Sequence, residues 1–324
     1  MSNVNASATC ASASTAATRQ PKVLVLLAAY NGANWIGEQI ESILRQSCVD
    51  VTLVVRDDGS TDSTASAVHR LTEVDARVRF EPAGIPSGAA AQNFFSLIRS
   101  NCSDDYDFVA LSDQDDIWND DKLCEAVEAL GCTQSSGYSS PVTAIWPSGR
   151  TRVLYQEKIT TESDFFFEGA GQGCTFVLSG KLYDRIRLFL IEREHLTRNI
   201  HFHDWTIYAL TRVWGLNWVF GRNSAMFYRQ HELNDTGARL SWRGISTRIA
   251  RIRCGWYRSQ LLAISEICLA AKPLNPIVVN WNELLAGRPT WRRRSRIVCF
   301  CIKGGRRRTL DNAILILCTL IGWI

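Results

Sequence analysis

The stretch "YDFVALSDQDDIW", residues 106–118, ends an apolar run with a cluster of carboxylates. Residues 108–111 predict a buried strand, and Asp113, Asp115 and Asp116 follow it directly. Carboxylates this close repel one another, and burying them is costly unless a positive charge lies between them. The stretch therefore predicts either acidic side chains that spread into water or side chains that hold a cation.

Short apolar runs alternate with amphipathic runs on both sides of this stretch, which predicts strands alternating with helices. The predicted strands are 23–28, 51–56, 78–82 and 107–112, and the predicted helices are 34–47, one that runs to about residue 71, 89–100 and 121–130. This order is typical of an α/β fold with a mostly parallel sheet flanked by helices.

Polar clusters stand at three predicted strand ends: "AYNG" (29–32), "RDDGSTD" (56–62) and "SDQDD" (112–116). Ligands of such sheets bind at the carboxyl ends of the strands, so we expect one ligand to contact all three clusters. Clustered carboxylates favour a divalent cation with oxygen ligands, Mg²⁺ or Mn²⁺. Asp120 or Asp121 is expected to cap the next helix. Asp116 could either cap that helix or contact the metal. Neither GxGxxG nor GxxxxGK[ST] is present.

Charge is distributed unevenly along the 324 residues. Residues 1–238 carry 20 Lys and Arg against 29 Asp and Glu, whereas residues 239–308 carry 16 against two. Such a basic region favours an anionic partner, and without an RNA- or DNA-binding motif we expect a membrane surface and no nucleic acid. The first 20 residues predict a disordered tail rather than a signal peptide. Eleven scattered cysteines without a CxxC pair indicate a reduced chain.

The last apolar run, residues 313–324, is preceded by Arg306, Arg307 and Arg308. Its twelve residues fall short of the roughly 20 that span a bilayer. A core helix would explain the run, but the arginines beside it favour a segment that lies on anionic lipid.

Several motifs occur together in a fixed order: "VLVLLAAYNGANWIGEQIESILRQS", "VVRDDGSTDST", "GAAAQNFFSLI", "DFVALSDQDDIWNDDKL", "GQGCTFVLS", "HDW" and "YRQH". The set resembles family 2 glycosyltransferases of the GT-A fold over about residues 22–235, and most closely their bacterial rhamnosyltransferase branch. The resemblance implies a catalytic domain at 21–238. Composition and charge add the tail at 1–20 and a helical, basic, membrane-associating extension at 239–324.

The resemblance also implies a donor site. Tyr30, Asn31, Asp57 and Asp58 would contact the nucleotide, although Asp58 could instead form only an Asx turn. Asp113 would serve the ribose and the metal, and Asp115 would be the more direct metal ligand. His231 of "YRQH" would complete the metal or diphosphate site.

On the acceptor side, the resemblance makes Asp204 the catalytic base, and a helix N-cap is the alternative role for the same residue. Gln172, Gly173, Cys174, His203 and Trp205 would line the acceptor. The glycine would let the chain approach a sugar closely.

The expected activity is an inverting, metal-dependent transfer of L-rhamnose from dTDP-L-rhamnose to a polyprenyl-diphosphate-linked saccharide. It would serve cell-surface polysaccharide synthesis, such as O-antigen or capsule, in the cytoplasm at the inner face of the cell membrane. One alternative is a UDP-hexose donor on the same fold. Another is an inactive, membrane-docked assembly partner, which the intact Asp113, Asp115, Asp204 and His231 argue against.

Overall fold

The computed structural model describes residues 19–156, 161–231, 250–288 and 290–324. Its strands are β1 Lys22–Ala29, β2 Asp50–Asp57, β3 Val78–Pro82, β4 Phe108–Asp113, β5 Ile117–Trp118, β6 Gly137–Ser139, β7 Val142–Ile145, β8 Thr151–Leu154, β9 Val177–Ser179, β10 Trp218–Phe220 and β11 Met226–Arg229. Its helices are α1 Ile36–Leu44, α2 Thr64–Val74, α3 Ala90–Ser100, α4 Lys122–Thr133, α5 Gly180–Glu192, α6 Glu194–Thr197, α7 His203–Val213, α8 Trp256–Ala271, α9 Pro276–Ala286, α10 Trp291–Gly304 and α11 Thr309–Ile321.

The main sheet has seven strands in the order β10-β6-β9-β4-β1-β2-β3. Its central strands are parallel, and β9 runs antiparallel to both β4 and β6. The runs of Val and Leu in β1, β2 and β4 are buried, as expected for strands covered on both faces. Ala29 pairs with Asp57 and Ala28 pairs with Asp113, so the carboxyl ends of these strands meet at one edge.

The element boundaries differ from the sequence predictions at several ends. The helix predicted at 34–47 is shorter, Ile36–Leu44, and the third predicted strand has the observed bounds. Helix α2 spans Thr64–Val74 and so runs slightly beyond the predicted end near residue 71. The Ser60 and Asp62 side chains before it accept hydrogen bonds from the backbone of residues 31 and 33. Asp121 occupies the N-cap of α4, but its side chain makes no capping hydrogen bond.

A second sheet, in the order β5-β11-β7-β8, pairs strands from residues 117–154 with the strand at residues 226–229. Strand β11 pairs antiparallel with β5, with Phe227 opposite Ile117. This register carries His231, just after β11, toward Asp115, just before β5. The two residues are 116 positions apart in the sequence.

Helices α8 to α11 bury residues in the same core cluster as the main sheet. Trp281, Ile297 and Leu315 belong to that cluster, together with Phe166 and Trp205. The predicted boundary at residues 238 and 239 lies outside the described residues, so it stays a prediction. Among the described residues, no helix combines the length and the apolar character needed to cross a membrane.

Two of the arginines expected to face lipid are paired with acidic side chains of the protein instead. Arg306 forms an ion pair with Glu168 at 3.3 Å, and Arg307 forms one with the buried Asp164 at 3.3 Å. Arg308 is exposed. The expectation that all three arginines face lipid is therefore wrong for Arg306 and Arg307, because acidic side chains from the 164–168 segment neutralise them.

Candidate active site

The Asp57 and Asp58 side chains organise two loops at the carboxyl edge of the sheet. Asp57 accepts hydrogen bonds from the backbone N–H and the hydroxyl of Ser60. Asp58 accepts bonds from the Ser87 N–H (2.7 Å), the Ser87 hydroxyl (2.8 Å) and the Gly88 N–H (3.0 Å). Both carboxylates thus have protein donors, and their contact with a nucleotide stays a prediction.

Tyr30 and Asn31 follow β1 at the rim of this edge. The Tyr30 side chain is 54% exposed, and Asn31 adopts a left-handed φ of 51°. The Gln114 side chain accepts from the Tyr30 N–H and donates to the Tyr30 carbonyl, at 2.6 and 2.7 Å. A Cβ on Gly32 would lie 2.4 Å from the Gln114 Oε1 atom, so a larger residue here would displace the Gln114 side chain from this clamp.

His231 lies directly against the carboxylate cluster. Its Nε2 atom is 2.7 Å from the Asp115 Oδ2 atom, and its ring stacks on Trp35 with centroids 4.2 Å apart. Arg229 forms an ion pair with Glu38 of α1, which fixes the end of β11 beside that helix. The structure therefore brings together Asp115 and His231, two of the three residues that the distant motifs assign to the metal site.

Asp116 is the most deeply buried carboxylate of the cluster. In the described part of the chain, neither of its carboxylate oxygens accepts a hydrogen bond of ordinary geometry, although the Cys174 thiol and the Arg229 backbone N–H approach it. Burial, and then the charges of Asp115 and Asp113, hold its pKa well above the usual value. Oxygen or sulfur atoms of Asp113, Asp116 and Cys174 lie within 4.8 Å of one another. Crowded carboxylates with unsatisfied oxygens fit a divalent cation.

Lys122 is a buried cation near this cluster that sequence reasoning did not single out. Its Nζ atom lies 3.5 Å from the centroid of the Trp118 ring and, among the described residues, has no hydrogen-bond partner. Burial lowers its pKa to about 7, while the neighbouring Cys174 and Asp116 side chains act in the opposite direction. An isolated Lys in a helical segment carries no sequence signal for this position.

Asp204 lies in the first turn of α7, whose N-cap is Phe202. The alternative role of Asp204 as the N-cap is therefore wrong. Its Oδ1 atom accepts a bond from the Trp205 N–H at 2.7 Å, and burial raises its pKa to about 6. A carboxylate with a pKa near neutrality can act as a general base.

The residues beside Asp204 are held by packing. The His203 ring stacks on Phe94 with centroids 3.9 Å apart, and burial lowers the His203 pKa to about 3. The imidazole is therefore neutral at pH 7 and carries no charge toward Asp204. Trp205 is buried, and its indole N–H donates to the Phe165 carbonyl at 2.8 Å.

The turn at Gly173–Thr175 joins Asp204 to the carboxylate cluster. A Cβ on Gly173 would lie 2.3 Å from the His203 Nε2 atom and 3.2 Å from the Asp204 Cβ atom. The next residue, Cys174, is fully buried beside Asp113 and Asp116. The Gln172 carbonyl accepts two bonds from Thr175, which close the turn. Adjacent residues thus contact the predicted base on one side and the predicted metal site on the other.

Comparison with known proteins shows the family of this chain. The family model described as "Glycosyl transferase family 2" matches residues 24–185, half of the chain. The chain belongs to glycosyl transferase family 2. The family prediction from the ordered motifs is confirmed, and so is the prediction of a glycosyltransferase enzyme.

Two curated members of the family illustrate the similarity. This glycosyltransferase is 35% identical to the dTDP-rhamnosyl transferase RfbG of Shigella flexneri over 241 residues, which is 74% of this chain and 83% of that protein. It is 32% identical to the putative teichuronic acid biosynthesis glycosyltransferase TuaG of Bacillus subtilis over 124 residues, or 37% of this chain and 48% of that one.

Solved structures show the same fold at low sequence identity. S. aureus TarS 1–349 in complex with UDP aligns with 94% of this chain and 81% of its own, at 15% identity and a TM-score of 0.55. The mannosyltransferase PcManGT from Pyrobaculum calidifontis, in complex with GDP-Man and Mn²⁺, aligns with 94% of this chain and 86% of its own, at 16% identity and a TM-score of 0.51. The predicted GT-A fold is confirmed.

Proposed function

We propose that this family 2 enzyme performs an inverting, metal-dependent transfer of L-rhamnose from dTDP-L-rhamnose to a lipid-linked saccharide. The observation that supports the chemistry best is the turn at Gly173 and Cys174. It contacts Asp204 with one residue and the carboxylates of Asp113 and Asp116 with the next. A base therefore lies within reach of a site for a cation and a diphosphate.

The proposed cation would be Mg²⁺ or Mn²⁺, held by Asp115, Asp113 and His231, with Asp116 below them. Unsatisfied oxygens at Asp116 and the crowding of three carboxylates support this assignment. When bound, such an ion neutralises charge on a leaving diphosphate. Tyr30, Asn31, Asp57 and Asp58 would hold the nucleotide at the adjoining strand ends.

Asp204 would take the proton from the acceptor hydroxyl as that oxygen attacks the anomeric carbon. One base and one displacement invert the configuration without a covalent intermediate. Its pKa near 6 leaves it ionised at neutral pH and still basic enough to accept a proton. The acceptor would lie along Gln172, Gly173, His203 and Trp205. Cys174 is buried beneath this surface and would support it from below.

The choice of rhamnose rests on the similarity to a dTDP-rhamnosyl transferase over most of both chains. The acceptor would be a polyprenyl-diphosphate-linked saccharide used for cell-surface polysaccharide such as O-antigen.

A peripheral position on the inner face of the cell membrane would bring the enzyme to this acceptor. The outer face of α11 supports it, because apolar residues at helical spacing are exposed there: Leu310, Ile314, Leu317 and Ile321.

A screen of nucleotide sugars, with and without Mg²⁺ or Mn²⁺, tests the proposed activity. We expect metal-dependent release of dTDP from dTDP-L-rhamnose, accelerated by a lipid-linked acceptor. Turnover of UDP-hexoses alone would refute the donor assignment, and release that persists in chelator would refute the metal assignment.

Asp115→Asn tests the metal site directly. The substitution removes an anionic oxygen ligand while keeping the side-chain shape, so we expect transfer to be abolished and the fold to survive. Asp105→Asn, at an exposed position, is the matched control and should transfer normally. Near-normal turnover of Asp115→Asn at limiting Mg²⁺ would contradict the assignment.

A further inference from the structure

A cavity of about 310 Å³ lies between α9 and α10, in the basic C-terminal region. Its volume is at the lower end of the roughly 300–1,000 Å³ that is usual for ligand sites. Four arginines line it, with one acidic residue: Arg288, Arg292, Arg293, Arg296 and Glu283. The wall of the cavity therefore carries a strong positive excess.

These arginines lack acidic partners. In the described residues, no salt bridge joins a carboxylate to Arg288, Arg292 or Arg296. Within the described ranges, the Arg296 guanidinium donates only to the neutral amide oxygen of Asn280, at 3.0 Å. Clustered like charges destabilise a fold unless an anion compensates them, and the positive end of the α10 dipole adds to the cost.

Arg293 has a structural role that explains part of the cluster. It is 8% exposed, and it donates to the Leu284 and Leu285 carbonyls at the end of α9, where Arg258 also donates to Leu285. These bonds satisfy carbonyls that the helix leaves free. Arg288, Arg292 and Arg296 have no such carbonyls to satisfy, so the helix end does not account for them.

A second cavity of about 250 Å³ continues the first along α10 and shares Leu284 and Arg296 with it. Phe300 and Cys299 line this part, with Lys303 at its edge. Arg292, Arg296 and Lys303 recur at helical spacing, so they lie on one face of α10. The two cavities form a continuous groove that is basic at one end and partly apolar at the other.

We propose that this basic groove binds the phosphate group of an anionic membrane lipid, with the apolar part of the lipid over Leu284 and Phe300. Guanidinium groups bind phosphate oxygens through paired hydrogen bonds. The adjoining apolar surface favours a lipid over a nucleic acid, which would need aromatic platforms or groove-reading elements. The inference rests on the proposed membrane position and is independent of the proposed sugar donor.

Sedimentation of the full-length protein with vesicles tests the groove. At low salt, Arg292→Gln/Arg296→Gln should weaken binding to vesicles that contain phosphatidylglycerol by about thirtyfold. Arg70→Gln/Arg79→Gln removes the same charge at exposed sites in the catalytic domain and should change binding less than twofold. Equal losses for the two double variants would show that net charge alone matters and would overturn the proposal.

The arginine variants could lose vesicle binding by misfolding, so a second test removes a negative charge and looks for stronger binding. Glu283→Gln removes the one negative charge of the cavity wall, so it should strengthen vesicle binding several-fold. Glu73→Gln, exposed in α2, is its control and should leave binding unchanged. No gain from Glu283→Gln would contradict the assignment.

Competition identifies the ligand class. Inorganic pyrophosphate should displace the wild-type protein from vesicles more effectively than sodium chloride at equal ionic strength, and this difference should vanish in Arg292→Gln/Arg296→Gln. If the protein binds pyrophosphate but not vesicles, the ligand of the groove is a free phosphate compound and not a lipid. If single-stranded RNA competes more strongly than pyrophosphate, the ligand is a nucleic acid. The vesicle experiments contain no nucleotide sugar, so a negative result in them does not contradict the proposed sugar transfer. A negative result in the nucleotide-sugar screen likewise does not contradict lipid binding by the groove.

Discussion

Single side chains at the candidate site differ in how their surroundings set their charge. Asp116 and Asp204 are both acids with raised pKa values, but for different reasons. Burial and two neighbouring carboxylates act on Asp116, whereas burial alone raises the pKa of Asp204, and a backbone N–H opposes it. The first environment fits a cation and the second fits a proton acceptor, so similar residues are prepared for different roles.

The Asp204 assignment predicts a pH dependence. A base with a pKa near 6 must be ionised, so kcat/KM should rise with pH through about 6 and level off above it. Asp204→Asn should slow the chemical step by about 10²-fold or more and keep donor affinity. Rapid-quench single turnovers and dTDP binding measure the two quantities. Loss of donor binding with an unchanged chemical step would place Asp204 in the nucleotide site.

The same variant should be more stable than the wild type at pH 8. The folded protein holds the Asp204 proton more tightly than the unfolded chain, so ionisation costs stability as pH rises from about 4 to about 6. Asn carries no charge to bury, and we expect a gain on the order of 1 kcal/mol, reduced by partial exposure. Chemical denaturation at pH 8 and at pH 4 checks this, because the gain should disappear at pH 4.

Among the elements, the turn before β9 is held closely against the start of α7. It approaches α7 at two glycines: a Cβ on Gly169 would lie 3.2 Å from the Trp205 Cα atom, and one on Gly173 would meet the His203 ring. Neither neighbour is the free end of a flexible chain. The turn is therefore fixed against the start of α7, and it positions Asp204 relative to the carboxylates.

Gly173→Ala should displace His203 and Asp204 from this turn. A shift of the base by about 1 Å can cost roughly 10²-fold in transfer, while dTDP binding should change little. Gly131→Ala is the control, since nothing lies within 4 Å of that position in α4 and alanine favours a helix. Steady-state transfer and calorimetric dTDP binding separate the effects. Equal activity of the two variants would show that the turn tolerates movement.

At the scale of the whole molecule, the C-terminal helices are tied to the catalytic domain by a buried ionic cluster. Arg307 contacts Asp164, the Gly169 carbonyl and Glu168, and Arg212 contacts Asp164 from α7 at 3.2 Å. Together with the shared core, this cluster makes residues 291–324 part of the folded unit. Their removal is expected to unfold the protein, so point substitutions are the better probes of membrane binding.

Arg307→Ala should lower the free energy of unfolding by about 3 kcal/mol, because it leaves buried Asp164 and Glu168 short of a positive partner. Arg308→Ala, one residue later and exposed, should change it by less than about 0.5 kcal/mol. Urea denaturation of both variants measures the difference. Similar stabilities would show that the cluster does not hold the helices in place.

The sequence by itself determined strands β1 to β4, helices α1 to α4, the edge at which the polar clusters meet, and the family. Each follows from local periodicity or from ordered motifs within one segment. Only the tertiary structure decided which distant groups meet. The β5–β11 register brings His231 to Asp115, Cys174 lies beneath Asp113, and Arg307 pairs with Asp164 while its neighbour Arg308 stays exposed. Adjacent arginines look alike in a sequence, because charge and spacing along the chain do not state which acid lies opposite each of them in the folded protein.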